Sequence, residues 1–256
     1  MREGGSFVEN AQLVGLSRQV ALRRELDVVA NNLANVGTAG FKAEQVEFRE
    51  YLMPVASAET FPRGADRRLS YVEDKSTWQD FGSGSIEITS NKLDIAIDGD
   101  AFFAVQTPNG TRYTRNGQFQ LDTQGRLVTN EGHPVLSTSG PLQFAAEETD
   151  ITVGSDGTVS TKDGVRGRLL LTAFDNPQSL VTEGSSMFRA GVPGRELAAG
   201  QARTVQFAVE KSNVQPIVET TRLIEISRAY QNLAQMMQRG DDLRRTAIER
   251  LADVAA

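Results

Sequence analysis

VVANNLANVGTAGFK, residues 28–42, closes a helix and starts something else. Apolar residues at helical spacing run in from the left. Asn31, Asn32 and Asn35 then crowd the end, followed by Gly37, Gly40 and the aromatic–basic pair Phe41–Lys42. Asparagine is poor inside a helix but tolerates the left-handed conformation and offers both donor and acceptor. The two glycines allow positive φ and a sharp exit. Two readings stay open: a helix C-cap of the Schellman type, or a joint in which the amides pair with a neighbouring chain and Phe41 docks against it.

Upstream, Leu22, Leu26, Val29, Leu33 and Val36 recur at alternating spacings of four and three, the mark of a narrow helical seam. Traced back through Gln19, Gly15, Gln12 and Val8, it weakens. The far end of the chain repeats the pattern. Ser212 or Asn213 is the expected N-cap and Pro216 falls in the first turn. Leu223, Ile226, Tyr230, Leu233 and Met237 form the seam, and Ile217 and Ile224 mark a second apolar row. Seams of this length point to a coiled coil or to helix packing on partners.

Between them, residues 76–211 read as β. Asp98–Gly99, Asn109–Gly110, Asn116–Gly117, Gln124–Gly125, Asp156–Gly157 and Asp163–Gly164 separate short apolar runs, as tight hairpin turns require. Val205, Phe207 and Val209 alternate with their neighbours, and Leu169–Leu170–Leu171 reads as a central strand buried on both faces. Residues 37–75 fit neither pattern and are expected to be an extended linker. The predicted class is α+β. Residues 1–36 and 212–256 would form a discontinuous, coiled-coil-like domain of paired terminal helices, around a mainly antiparallel β domain at 76–211.

Of 256 residues, 27 are Lys or Arg and 33 Asp or Glu, for a net charge of −6. That balance lacks the basic footprint of nucleic-acid binding. The absence of cysteine removes disulfides, thiolate metal sites and cysteine nucleophiles. No secretory signal and no membrane-spanning run is visible. The single histidine, His133, has no partner for a catalytic dyad. No nucleotide-binding or hydrolase motif occurs, and Asn109–Gly110–Thr111 is better read as a turn than as a glycosylation site. Expected catalytic, cofactor and metal residues are therefore none, with a carboxylate pair of the glycosidase kind as the remaining enzymatic alternative.

ANNLANVGTAGFK closely resembles the N-terminal signature of the flagellar basal-body rod and hook family, A-N-N-[IL]-A-N-x-x-T-x-G-[FY]-[KR]. LDIAIDGDAFFAVQTPNGTRYTRNGQFQLDTQGRLVTNEGHPVL resembles its central β motif, and SNVQPIVETTRLIEISRAYQNLAQMM its C-terminal helix. Together they span nearly the whole chain. The proximal rod members are the most similar; distal rod and hook subunits are the alternatives. Ala101 replaces a glycine common in this family, Gly37 stands where a polar residue is commoner, and the leader MREGGSF is longer than usual, as an upstream start codon would make it.

The resemblance implies a non-enzymatic axial subunit, stacked helically around an export channel and transmitting torque. It implies other rod subunits and the flagellar type III export apparatus as partners, and the periplasmic basal body as location. Nucleic acid, membrane insertion, a small-molecule substrate and cofactors are not implied. The residues expected at subunit contacts are Leu22, Leu26, Val29, Asn31, Asn32, Leu33, Asn35, Gly40, Phe41, Leu223, Ile226, Tyr230, Leu233 and Met237. A wall hydrolase and a soluble coiled-coil binding protein are the competing classes.

Overall fold

A computed structural model describes residues 4–53, 69–145, 148, 150–184 and 186–254. Two long helices, α1 (Gly4–Ala34) and α2 (Pro216–Val254), bracket an antiparallel β region. The chain divides into two compact units. The first comprises Met1–Leu33, Glu44–Trp78 and Pro216–Ala256; the second comprises Ala34–Ala43 and Gln79–Gln215.

In the first unit the helices run antiparallel over one stretch. Leu22, Val29 and Ile226 are buried there, with Leu26, Leu223, Ala229, Tyr230 and Leu233 packed against them. At one end of this patch the Glu25 carboxylate accepts from Arg222 at 2.9 Å. Towards the other end Gln19 Nε2 donates to the Tyr230 hydroxyl at 3.0 Å. A Cβ added to Gly15 would lie 3.3 Å from Met237 Sδ, so this glycine admits the methionine.

The expected coiled-coil-like domain is corrected on two points. The patch covers roughly two heptads, short of the three to four that sustain a coiled coil. Beyond it Leu243 is 72% exposed, so the seam does not run the helix. The first unit is also not purely helical: strands Glu44–Met53 and Leu69–Gln79 pair into a two-stranded ribbon where an extended linker was expected. The rest of that linker, 54–68, lies outside the described residues, as do the side chains of Val8 and Gln12. Val36, counted in the helical seam, falls past the end of α1.

The second unit is built on a six-stranded antiparallel sheet in the order Val181–Glu183, Met187–Arg189, Gly110–Thr114, Phe102–Thr107, Leu171–Ala173, Arg195–Glu196. Successive residues of a strand face opposite sides. Phe103 accordingly joins the main core of Ile95, Ile97, Phe119, Leu127, Val135 and Leu169, while Phe102 joins a second cluster with Leu180 and Phe188. Phe102 meets Phe188 edge to face at 5.9 Å between centroids, and Phe103 meets Phe119 at 5.1 Å. The methyl of Ala101 is buried in the main core, so the turn accommodates a Cβ.

Glycines 99, 110, 125, 157 and 164 all carry positive φ at the turns read from sequence. Gly117 does not, and no hairpin forms there. Gly110–Thr114 pairs with Phe102–Thr107, whereas Phe119–Leu121 pairs with Leu127–Thr129. A Cβ at Gly117 would collide with the Ile95 carbonyl, so close backbone approach is the reason for glycine. The Leu169–Leu171 run is not buried on both faces either: Leu169 and Leu171 enter the main core while Leu170 is only partly buried. The expected continuous strand 205–209 breaks at Phe207, which has φ 59. Arg203–Gln206 pairs with Ile95–Asp98, and Ala208–Glu210 switches to Ile86–Ile88.

Candidate functional site: the anchorage of the signature stretch

Asn32 is fully buried at the last turn of α1. Its side-chain amide donates to the Glu44 carbonyl at 2.8 Å and accepts from the Glu44 N–H at 2.8 Å. One amide thus supplies both hydrogen bonds that a neighbouring strand would give, and only Asn or Gln carries donor and acceptor in that fork. Asn31 Nδ2 reaches the Glu44 carboxylate at 3.3 Å. Leu33 is partly buried.

Asn35 makes the turn. Its carbonyl accepts from the Thr38 N–H at 3.1 Å, and its side-chain oxygen accepts from the Thr38 hydroxyl at 3.2 Å. The N–H of Phe41 then bonds back to the Thr38 carbonyl at 3.3 Å. Gly40 has φ 68 and donates its N–H to the Glu210 carbonyl at 2.8 Å. Any Cβ there would overlap the backbone of Arg115 and Asn116, so glycine is required by conformation and by space. Gly37, by contrast, has open space around it.

Phe41 is buried within its own chain, against Ala43, Val214 and Val36. Of the two readings left open by sequence, this packing is the one in which the stretch closes on its own chain. Lys42 next to it is completely buried. Its ammonium donates to Glu210 Oε1 at 2.7 Å and to the Gly82 carbonyl at 2.8 Å. The same carboxylate oxygen accepts from the Gly84 N–H at 2.9 Å. Burial pulls the Lys42 ammonium below its ordinary pKa, and the Glu210 carboxylate opposes that shift.

A second buried cation, Arg115, approaches the same carboxylate. Its Nε lies 3.4 Å from Glu210 Oε2 without a hydrogen bond, and neither atom has another partner among the described residues. The guanidinium is held instead by the carbonyls of Gly99 at 2.7 Å and Ala101 at 2.6 Å, and sits 5.4 Å from the Phe102 ring centroid. Asn213 completes the fastening. It accepts from the Ala43 N–H at 2.7 Å and donates to the Asp80 carbonyl at 2.8 Å. Asn213 is therefore not the cap of α2, which begins three residues later at Pro216, a position that suits proline's missing donor.

Two buried cations share one carboxylate, with no nucleophile–base pair among them. The chemistry of the site is fastening: removing one member of such a cluster strands buried charge. Of the sequence-expected contact residues, Leu22, Leu26, Val29, Leu223, Ile226, Tyr230 and Leu233 gather on the helix patch, with Met237 beside Gly15. Asn31 and Asn32 gather at Glu44, and Asn35, Gly40 and Phe41 in the strap that follows. Sequence reasoning missed Glu210 and Arg115, and it gave Asn213 a different role, as a helix cap. The carboxylate partner of Lys42 stands 168 residues away in sequence, and no local periodicity announces it.

Three family descriptions match the chain: flagella basal body rod protein over 13–42, flagellar hook protein FlgE/F/G D1 domain over 96–161, and flagellar basal body rod FlgEFG protein C-terminal over 205–250. Lys42, Arg115 and Glu210 fall one in each. The flagellar basal-body rod protein FlgF of Caulobacter vibrioides is 39% identical over 249 residues, covering 96% of this chain and all of that one. FlgF of Mesorhizobium japonicum is 35% identical over 90% of this chain and 93% of its own. The rod protein FlgG of Bacillus subtilis is 30% identical over 90% of this chain and 94% of its own.

Proposed function

Because this chain belongs to the family of flagellar basal-body rod proteins, we propose that it works in the proximal part of the rod, as an axial subunit that stacks helically with its own copies and with neighbouring axial proteins. That it is a structural subunit of the basal-body rod follows from likeness along the full chain to proteins of that name. Assembly with other axial subunits belongs to that role.

Proximal position is supported by the higher identity to FlgF relatives, 39% and 35%, than to the FlgG relative, 30%. The surface of α2 supports assembly through the helices. Ile217 and Ile224 lie seven residues apart on the side of α2 away from Ile226 and Leu233, and both are exposed. Leu243 and Ile248 are exposed farther along. A helix that is apolar on a second face buries it in an assembly. On this reading the helices line an export channel, the rod transmits torque, and the subunit performs no chemistry. It reaches its place across the periplasm through the flagellar export apparatus.

The single observation that carries the reading is the full-length likeness to rod proteins. The test is complementation: cells lacking this chain, given back a tagged copy, should regain motility and yield purified basal bodies that contain the tag in the rod fraction. Motile cells whose basal bodies lack the tagged chain would remove the reading.

A further inference from the structure

The backbone passes from one compact unit to the other at four places: between Leu33 and Ala34, Ala43 and Glu44, Trp78 and Gln79, and Gln215 and Pro216. Two asparagine side chains stand beside these passages. Asn32 belongs to the first unit, next to Leu33, and Asn213 belongs to the second, close before Gln215.

Both act on the same short stretch of backbone. Ala43 and Glu44 each carry one donor and one acceptor on the main chain, and all of these groups are engaged. The Ala43 N–H donates to Asn213 Oδ1 at 2.7 Å, and the Ala43 carbonyl accepts from the Asp80 N–H at 2.8 Å. The Glu44 N–H donates to Asn32 Oδ1 at 2.8 Å, and the Glu44 carbonyl accepts from Asn32 Nδ2 at 2.8 Å. Asn213 Nδ2 also donates to the carbonyls of Asp80 at 2.8 Å and Gly82 at 3.1 Å, just past the third passage. Asn32 thus ties the first passage to the second, and Asn213 ties the second, third and fourth. Aspartate would accept in these places but not donate, and leucine would do neither.

The two clamps are not independent. They hold adjacent residues, and the φ and ψ of Ala43 fix the direction of the Glu44 N–H relative to the Ala43 N–H. Release of either amide frees those dihedrals, and the remaining amide must then meet their ordering entropy alone. Ala43 is buried, so water does not stand in for the lost partner.

We propose that this doubly held peptide couples the two units, so that the helix patch and the β core lose their structure in one transition. Two compact units joined by free connections would instead open separately. The coupling belongs to the single chain and does not depend on its place in an assembly.

The purified chain would be pulse-labelled by hydrogen exchange across a urea series, and the peptides covering residues 22–29 and the strand Phe102–Thr107 weighed. The two should share one midpoint. Val29→Ala, which thins the helix patch, should lower both midpoints equally. In a chain carrying Asn32→Ala and Asn213→Ala the midpoints should part by about 1 M urea, the ratio of a lost buried hydrogen bond to a typical urea slope. Val29→Ala added to that chain should then move residues 22–29 alone. Should the double variant not fold, Asn213→Ala by itself carries the same comparison. Separate midpoints in the unaltered chain, or midpoints that still move together once the asparagines are gone, overturn the proposal.

Discussion

The strap at residues 35–43 and the helix α2 are both rich in what a neighbour could bind, yet they treat it in opposite ways. The strap turns everything inward. Phe41 is buried, Lys42 is paired with Glu210, and the N–H groups of Gly40 and Ala43 find acceptors within the chain. In α2 one apolar row is used against α1, while Ile217, Ile224, Leu243 and Ile248 remain exposed. The difference teaches that a family signature can fasten a chain to itself: its side chains are spent within the fold, whereas the less distinctive apolar residues of the helix stay exposed.

The contrast breaks most visibly at Glu210. Glu210→Ala leaves Lys42 and Arg115 buried without a carboxylate, and loss of one partner from such a cluster costs about 3–5 kcal/mol. Urea unfolding of the purified chain should show a large fall in midpoint; an unchanged midpoint would show that the strap is not fastened by charge. Phe41→Ala should cost about 3–4 kcal/mol, as aromatic truncations in cores do, and the same titration measures it. If the loss is under about 1 kcal/mol, near the cost of an exposed site, the ring is not seated as described.

Asn32→Ala leaves the N–H and carbonyl of Glu44 without their partner, a loss of about 1–3 kcal/mol. Asn32→Asp sharpens the point, since a carboxylate accepts from the N–H but cannot donate to the carbonyl. It should recover part of the alanine loss at most, as thermal melts of the three chains would show. The smallest effect on the isolated chain is expected from Ile224→Asp, within about 0.5 kcal/mol. Its effect on motility should be the greatest of the five relative to stability. A motile Ile224→Asp strain with normal rods would remove α2's outer row from the assembly surface.

Much of this was legible in sequence where the cause is local. The turn glycines at 99, 110, 125, 157 and 164 need positive φ, and both long helices follow from apolar spacing. What failed depends on distant partners. Gly117 is glycine because the Ile95 carbonyl approaches it, not because the chain turns. Val205, Phe207 and Val209 alternate as one strand, but the chain changes partner at Phe207. The helical seam was overread, because 3.5-residue spacing says that a face is apolar and not how much of it another helix of the same chain covers. At the anchorage, Phe41 and the asparagines stood out by type. Glu210 and Arg115 did not, since a buried charge has the same letter as a solvated one.

Hydrogen exchange of the free chain, read by mass spectrometry, tests the inward strap against the open helix most directly. Amides of Gly40, Ala43, Gly84 and Ala208–Glu210 should exchange as slowly as those of the Phe102–Thr107 strand. Amides of α2 beyond Met237 should exchange at least a hundredfold faster. If the far half of α2 is as protected as the β core, or if the strap exchanges as freely as that half, the account is contradicted.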